Sequence, residues 1–321
     1  MMRENPIKFK KRVYESLRRQ VHAINTLVNA DGEGAQMSFW DYGNSFLLES
    51  SRASADIMSV EDPTKFRYPS YVEDIMGDIF SLGFGPFRWV CTSGLPEDLA
   101  ITDQIALEVM TKLRSRLSAE DSPYSALAVP QLDDNILWIE EADQHKLVVG
   151  SQSRILYANA EVRAHLGVAF NEAVEDGRLQ SPVVLSRDHH DVSGTDAPWR
   201  ETSNVSDGSK FTADMAIHNV IGDSFRGATS VSIHNGGGTG WGESTNGGFL
   251  LVLDGSPDAT RRVKDMLHFD VFNGVARRAW AGNDNAAKYV GDEQHHNATF
   301  QLTNAHRVCD GILDDALAAD E

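Results

Sequence analysis

Cysteine is nearly missing from this chain: Cys91 and Cys309 are the two that occur in 321 residues, far apart and without paired spacing. That scarcity excludes a disulfide framework and a thiolate zinc site, and it fits a reducing compartment. Long hydrophobic runs are missing too. No uninterrupted apolar stretch approaches the roughly 18 residues of a membrane span, and the basic opening MMRENPIKFKKR is not followed by the apolar stretch of a signal peptide. The chain therefore reads as soluble, unexported and cytoplasmic. Positive charge is in short supply, with 29 Lys and Arg against 47 Asp and Glu and a net charge of −18. Such a balance repels phosphate backbones, so neither nucleic acid nor membrane is expected as a partner. Internal repeats and low-complexity segments are also lacking.

What is present is an ordinary apolar content of 41 %, enough for a real core, in a length that suits about two domains. Asn5 and Pro6 form an N-cap and first-turn pair that opens a helix to about Ala30. Its basic residues form a solvated face, because Phe9, Val13, Leu17, Val21, Ile24 and Leu27 recur at helical spacing. The pattern then predicts a short aromatic strand in SFWDYGN, a helix from Ser45 to about Ala55 and a helix over Tyr71 to Ser81. LGFGPFRWVCTSG reads as a turn punctuated by Gly and Pro, Thr102 as the cap of a helix to about Leu117, and residues 118 to 130 as the most linker-like stretch. Beyond it come a helix around Asn135 to His145, strands KLVVG and RILYA, a helix from about Glu161 to Glu175 closed by Gly177, and strand SPVVLS. A helix over about Ser209 to Val220, strand ATSVSIHN, a glycine-rich loop, strand FLLVLDG and a helix opened by Ser256 and Pro257 follow. Apolar strands separated by helices predict an α/β sheet covered on both faces.

Two stretches at strand ends are unusual. RDHHDVSGTDAPWRETSN, residues Arg187 to Asn204, concentrates ionisable groups directly after SPVVL, and HNGGGTGWG follows ATSVSI. Strand ends are where open α/β folds place their sites. The glycine-rich loop has neither the G-x-G-x-x-G spacing of a dinucleotide fingerprint nor the Lys-Ser/Thr of a P-loop, so alone it reads as a structural turn. Asp188, His189, His190, Asp191 and His234 lack the spacing that points metal ligands together, which argues against a metal site. Arg88 in GPFRWV and Arg200 in APWRET carry forked guanidinium groups suited to a carboxylate, yet an arginine beside a tryptophan is also commonplace on a surface. From the residues alone, the reading stops at an anionic small molecule.

SFWDYGN, FRYPSYVEDIMGDIFSLGFGPFRWVCTSG, LVVGSQSRILY, SPVVLSRDHHDVSGTDAPWRETSN, DGSKFTADMAIHNVIGDSFRGAT and HNGGGTGWGE strongly resemble the urocanase family in its eukaryotic form, over about residues 7 to 282. The resemblance implies urocanate hydratase activity, adding water to urocanate to give imidazolonepropionate, with NAD as an electrophile rather than a hydride carrier. It further implies a homodimer for the full-length protein. Carried over by motif, Arg88 is expected to clamp the substrate carboxylate, Arg200 to line the site as a second cation, and Asp191 to act as the acid/base group, its alternative being a salt bridge to Arg187 or Arg200. His189 and His190 are expected to shape the loop. Tyr42 in WDYGN and Gly238 in HNGGGTG match positions that touch NAD. Leu156 stands where bacterial members carry a cysteine.

Family members are longer, and the resemblance places the additional part before Met1. Residues 1 to 85 are accordingly expected to be the end of a Rossmann-like NAD domain and residues 86 to 321 the carboxyl-terminal part of the core domain. On that reading the 321 residues alone neither retain NAD nor hydrate urocanate. Two other classes stay open: a non-catalytic fragment acting through a dimer surface, and a metal hydrolase using Asp188 to Asp191 with His234.

Overall fold

The computed structural model describes residues 1–28, 37–42, 45–147, 151–187, 191–194, 202, 204–205, 209, 213–235, 244–306, 311–312 and 317–318. It opens with α1 (Pro6–Val28), whose first turn is capped where Asn5 Oδ1 accepts from the Lys8 N–H at 2.9 Å, as the Asn-Pro pair predicts. Helix α1 buries Val21 and Asn25 against Leu47 of α2 (Ser45–Arg52), Ile57 and Tyr68, forming a small core of its own. The Tyr68 hydroxyl donates to Asn25 Oδ1 at 2.6 Å, which satisfies the polar groups enclosed there.

The strand expected in SFWDYGN is not found over its described residues; Asp41 makes a single bridge to Ser70, and its carboxylate accepts from the Leu47 N–H at the start of α2. The helix expected over Tyr71 to Ser81 is split into a π-helical turn, Tyr71–Ile75, and α3 (Gly77–Ser81). Met76 N–H reaches back five residues to Tyr71 O at 2.9 Å, which unwinds the join.

LGFGPFRWVCTSG, read as a turn, contains β1 (Gly85–Cys91), which pairs on both sides. Pro86 is tolerated because at that position β1 has a partner only in β2 (Ser153–Ala158), and pairing with β3 (Val183–Ser186) begins at Arg88. Helix α4 (Pro96–Ser118) starts earlier than expected, with Pro96 at its first position. Thr102 lies inside it, donating to Leu99 O and accepting from Trp89 Nε1. The linker-like stretch ends in α5 (Ser125–Glu140), which accommodates Pro130 in its second turn, so the helix expected from Asn135 begins ten residues sooner. The expected strand KLVVG lies largely outside the described residues.

The elements α6 (Ala160–Glu175), β4 (Ser230–Asn235), β5 (Thr245–Leu253) and α8 (Pro257–Trp280) follow the pattern, α7 (Asp214–Phe225) lies about five residues later than expected, and α9 (Asp284–His296) is a helix the pattern did not predict. All strand pairs are antiparallel, in the order β2-β1-β3-β5-β4. Phe87, Trp89, Val183, Leu185, Leu251 and Leu253 bury on one side against the apolar stripes of α6 and α8. On the other side Val90, Ile155, Tyr157 and Val184 are half-buried and Leu250 is exposed, so cover on both faces is not what the described residues show. Antiparallel pairing explains it, since such sheets are stable with one face sealed. No described helix is long and apolar enough to cross a membrane.

Candidate functional site

β3 delivers Arg187 into the core. Its Nε donates to Asp270 Oδ1 on α8 at 2.9 Å, its Nη1 to the Gly247 carbonyl on β5 at 2.8 Å, and Asp191 Oδ2 lies 3.4 Å away. Arg163, on the buried stripe of α6, completes the arrangement: Nη2 donates to Asp191 Oδ1 at 2.8 Å, Nη1 to Asp270 Oδ2 at 3.2 Å, and Nε to Ala158 O at 2.8 Å. Asn219 of α7 donates to Asp270 Oδ1 at 2.8 Å and accepts from Arg187 Nη2. All four charged side chains are fully buried. Two arginines, two carboxylates and Asn219 thus interlock α6, α8, α7 and the end of β3 with the loop at Asp191.

Burial pushes the Asp191 pKa up, but the charge and hydrogen bonds of Arg163, with Arg187 beyond, outweigh it and hold the carboxyl below the usual range. The salt bridge to Arg187, weighed in the sequence against an acid/base role, is present and is joined by Arg163. Gly85 permits this approach, because a Cβ there would overlap Asp191 Oδ1. Arg278 of α8, whose pKa burial lowers to about 10, donates to Val192 O and, at 2.9 Å, to Asn204 Oδ1. Asn204 in turn donates to Gly77 O and Ser81 Oγ of α3.

Arg88 is half-buried and lies opposite Ser186 and Ile155 in the sheet. Strand alternation turns it away from Phe87 and Trp89, toward the half-open face, whereas Asp191 is sealed on the helix-covered side. The two residues are therefore close along β1 but on opposite faces. Tyr42 is 45 % exposed and stacks on Tyr71, ring centroids 5.3 Å apart and 13° from parallel. That flat aromatic surface fits a heterocyclic ring of a nucleotide. Arg200, Gly238, Asp188, His189 and His190 lie outside the described residues. A cleft of about 800 Å³ lies between α6, α8 and α9, and among the described residues neither Arg88, Asp191 nor Tyr42 lines it.

Sequence reasoning missed Arg163, Asn219, Asp223 and Asp270. The signal was available: Arg163 and Asp270 stand within apolar stripes, between Val162, Leu166 and Phe170 on α6 and between Leu267, Val271 and Val275 on α8. A charge in such a stripe is buried and must be paired.

The urocanase Rossmann-like domain matches residues 1–75 and the urocanase C-terminal domain residues 78–292. A protein of Dictyostelium discoideum named probable urocanate hydratase is 58 % identical over 314 residues, 98 % of this chain and 45 % of that protein. The Homo sapiens protein named urocanate hydratase is 54 % identical over 319 residues, 99 % of this chain and 46 % of its own length. The chain spans under half the length of these relatives. With both domain matches running in order along it and identity maintained over nearly all its residues, the chain belongs to the urocanase family.

Proposed function

We propose that this chain is part of a urocanate hydratase, a hydro-lyase that adds water to urocanate to give imidazolonepropionate in histidine breakdown, working as a homodimer in the cytoplasm. The observation that carries the proposal is the 54–58 % identity to relatives bearing that name over nearly the whole chain. Residues 1 to 85 form the end of the NAD-binding domain on this reading, and residues 86 to 321 belong to the core domain. NAD supplies an electrophilic ring when bound. Tyr42, on its Tyr71 stack, and Gly238 would hold it.

Within this reading Arg88, reaching from the centre of the sheet to its half-open face, binds the substrate carboxylate through a guanidinium fork, and Arg200 adds a second cation. Asp191 is the group that handles a proton of the imidazole or the attacking water. Its geometry favours a second reading, in which it is a fixed anion anchoring the loop through Arg163 and Arg187.

In a form carrying the additional length of the relatives, Arg88→Lys is expected to lower kcat/KM on the order of 30-fold with NAD still bound, because an ammonium cannot reproduce a bidentate contact. Loss of urocanate ultraviolet absorbance measures it, and turnover within about threefold of the parent would reject the clamp. Asp191→Asn separates the two readings of that residue. Abolished turnover with an unchanged melting temperature supports proton handling, while a large fall in melting temperature supports the anchor.

A further inference from the structure

Asp223, near the carboxyl end of α7, is fully buried, and neither of its carboxyl oxygens meets a hydrogen-bond donor. Its charged neighbours come from three other elements: Asp270 on α8 stands against it, Arg187 at the end of β3 is close, and Asp191 in the following loop lies beyond. On its own helix Asn219, one turn earlier, already spans Arg187 and Asp270. Arg163 and Arg187 are ion-paired with Asp191 and Asp270, while the buried Arg278 donates to Val192 O and Asn204 Oδ1. An ionised Asp223 would add a further anion to a sealed site with no donor facing it, and such a group takes up a proton instead.

We propose that Asp223 is held as the neutral acid and donates its proton to Asp270, and that the two form a positioning pair which keeps Asp270 locked between Arg163 and Arg187 and so fixes Asp191. The pair holds the floor of the site, and its relevance to turnover rests on the reading of residues 187 to 204 as that site. The proton stays within the pair and no bond to substrate is made. Burial first and the neighbouring Asp270 second push the Asp223 pKa up to about 9, in keeping with the missing donors.

Infrared spectroscopy of the full chain with carbon-13 in its aspartates tests the pair directly. The carbonyl band of a protonated carboxylic acid is expected at pH 7, retained in Asp191→Asn, absent in Asp223→Asn, and lost from the parent as pH rises through about 9. No band at pH 7, or one that survives Asp223→Asn, overturns the proposal. If Asp223→Asn does not fold, the titration of the band in the parent decides alone: a band already lost by about pH 5, the ordinary aspartate range, overturns it. Unfolding equilibria give a second measure. With the pKa raised from about 3.9 in the unfolded chain, the stabilising proton is present below that value and its contribution is lost as pH rises toward 9. The parent's folding constant should thus fall by up to about tenfold per pH unit relative to Asp223→Asn. Parallel curves would overturn the pair. Because the band does not depend on catalysis, a band without turnover in the form carrying the additional length of the relatives defeats the functional reading alone, and turnover in that form without a band defeats the pair alone.

Discussion

Gly274 shows how little room α8 leaves beneath residues 192 and 193. A Cβ on this residue of α8 would overlap Val192 O and the carbonyl carbon of Ser193, backbone atoms that cannot rotate aside as a side chain could. Gly274→Ala is expected to destabilise the chain by about 3 kcal/mol, the upper part of the range for overpacking, with the change read from the urea midpoint. An effect below about 0.5 kcal/mol, the range of neutral surface substitutions, would mean that α8 and the loop are not in the contact described. Arg88, Asp191 and Tyr42 were singled out as candidates through their motifs. Of the surroundings of Asp191 the salt bridge to Arg187 was readable, but Arg163 was not, because it lies 28 residues from Asp191 and its other partner Asp270 lies 107 residues from Arg163 in the chain.

At the scale of elements, local signals worked where a cap or a breaker acts within one turn. Asn5, Ser256 and Gly177 mark helix ends as expected. They failed where tertiary contacts override them: Gly85 and Pro86 announce a turn, yet they begin β1, the strand bonded to both β2 and β3. Asn159 joins the two levels. Its Oδ1 accepts from the Val162 N–H to cap α6, while its Nδ2 donates to the buried Tyr124 hydroxyl, both at 2.9 Å. Asn283 caps α9 through Ala286 at 3.0 Å and has no such second bond among those described. Asn159→Ala should therefore cost about 2 kcal/mol and Asn283→Ala about 1 kcal/mol. Thermal melts of the two variants side by side make the comparison, and equal losses would show that the bond to Tyr124 contributes nothing.

For the molecule as a whole, the notable feature is apolar surface facing solvent. Helix α7 presents Ile217, Ile221 and Phe225, spaced four residues apart and 44 %, 51 % and 87 % exposed, and the edge strand β4 adds Ile233. An exposed stripe beside an unpaired strand edge promotes association. The chain is expected to self-associate at micromolar concentration by light scattering, and Phe225→Glu to reduce this without lowering the melting temperature. Unchanged scattering in that variant would place the sticky surface elsewhere.

The sequence by itself determined the family, the order of most helices and strands, and the residues of interest, because motifs, caps and periodicity act over short spans of chain. Tertiary structure alone decided that the sheet is antiparallel with one face half-open, and that Arg88 and Asp191 look to opposite sides of it. It alone brought Arg163, Arg187, Asp191, Asp223 and Asp270 into one sealed network. Strand direction and burial depend on which distant segments meet. A charge in an apolar stripe shows only that a partner must exist, and the fold selects which residue that partner is.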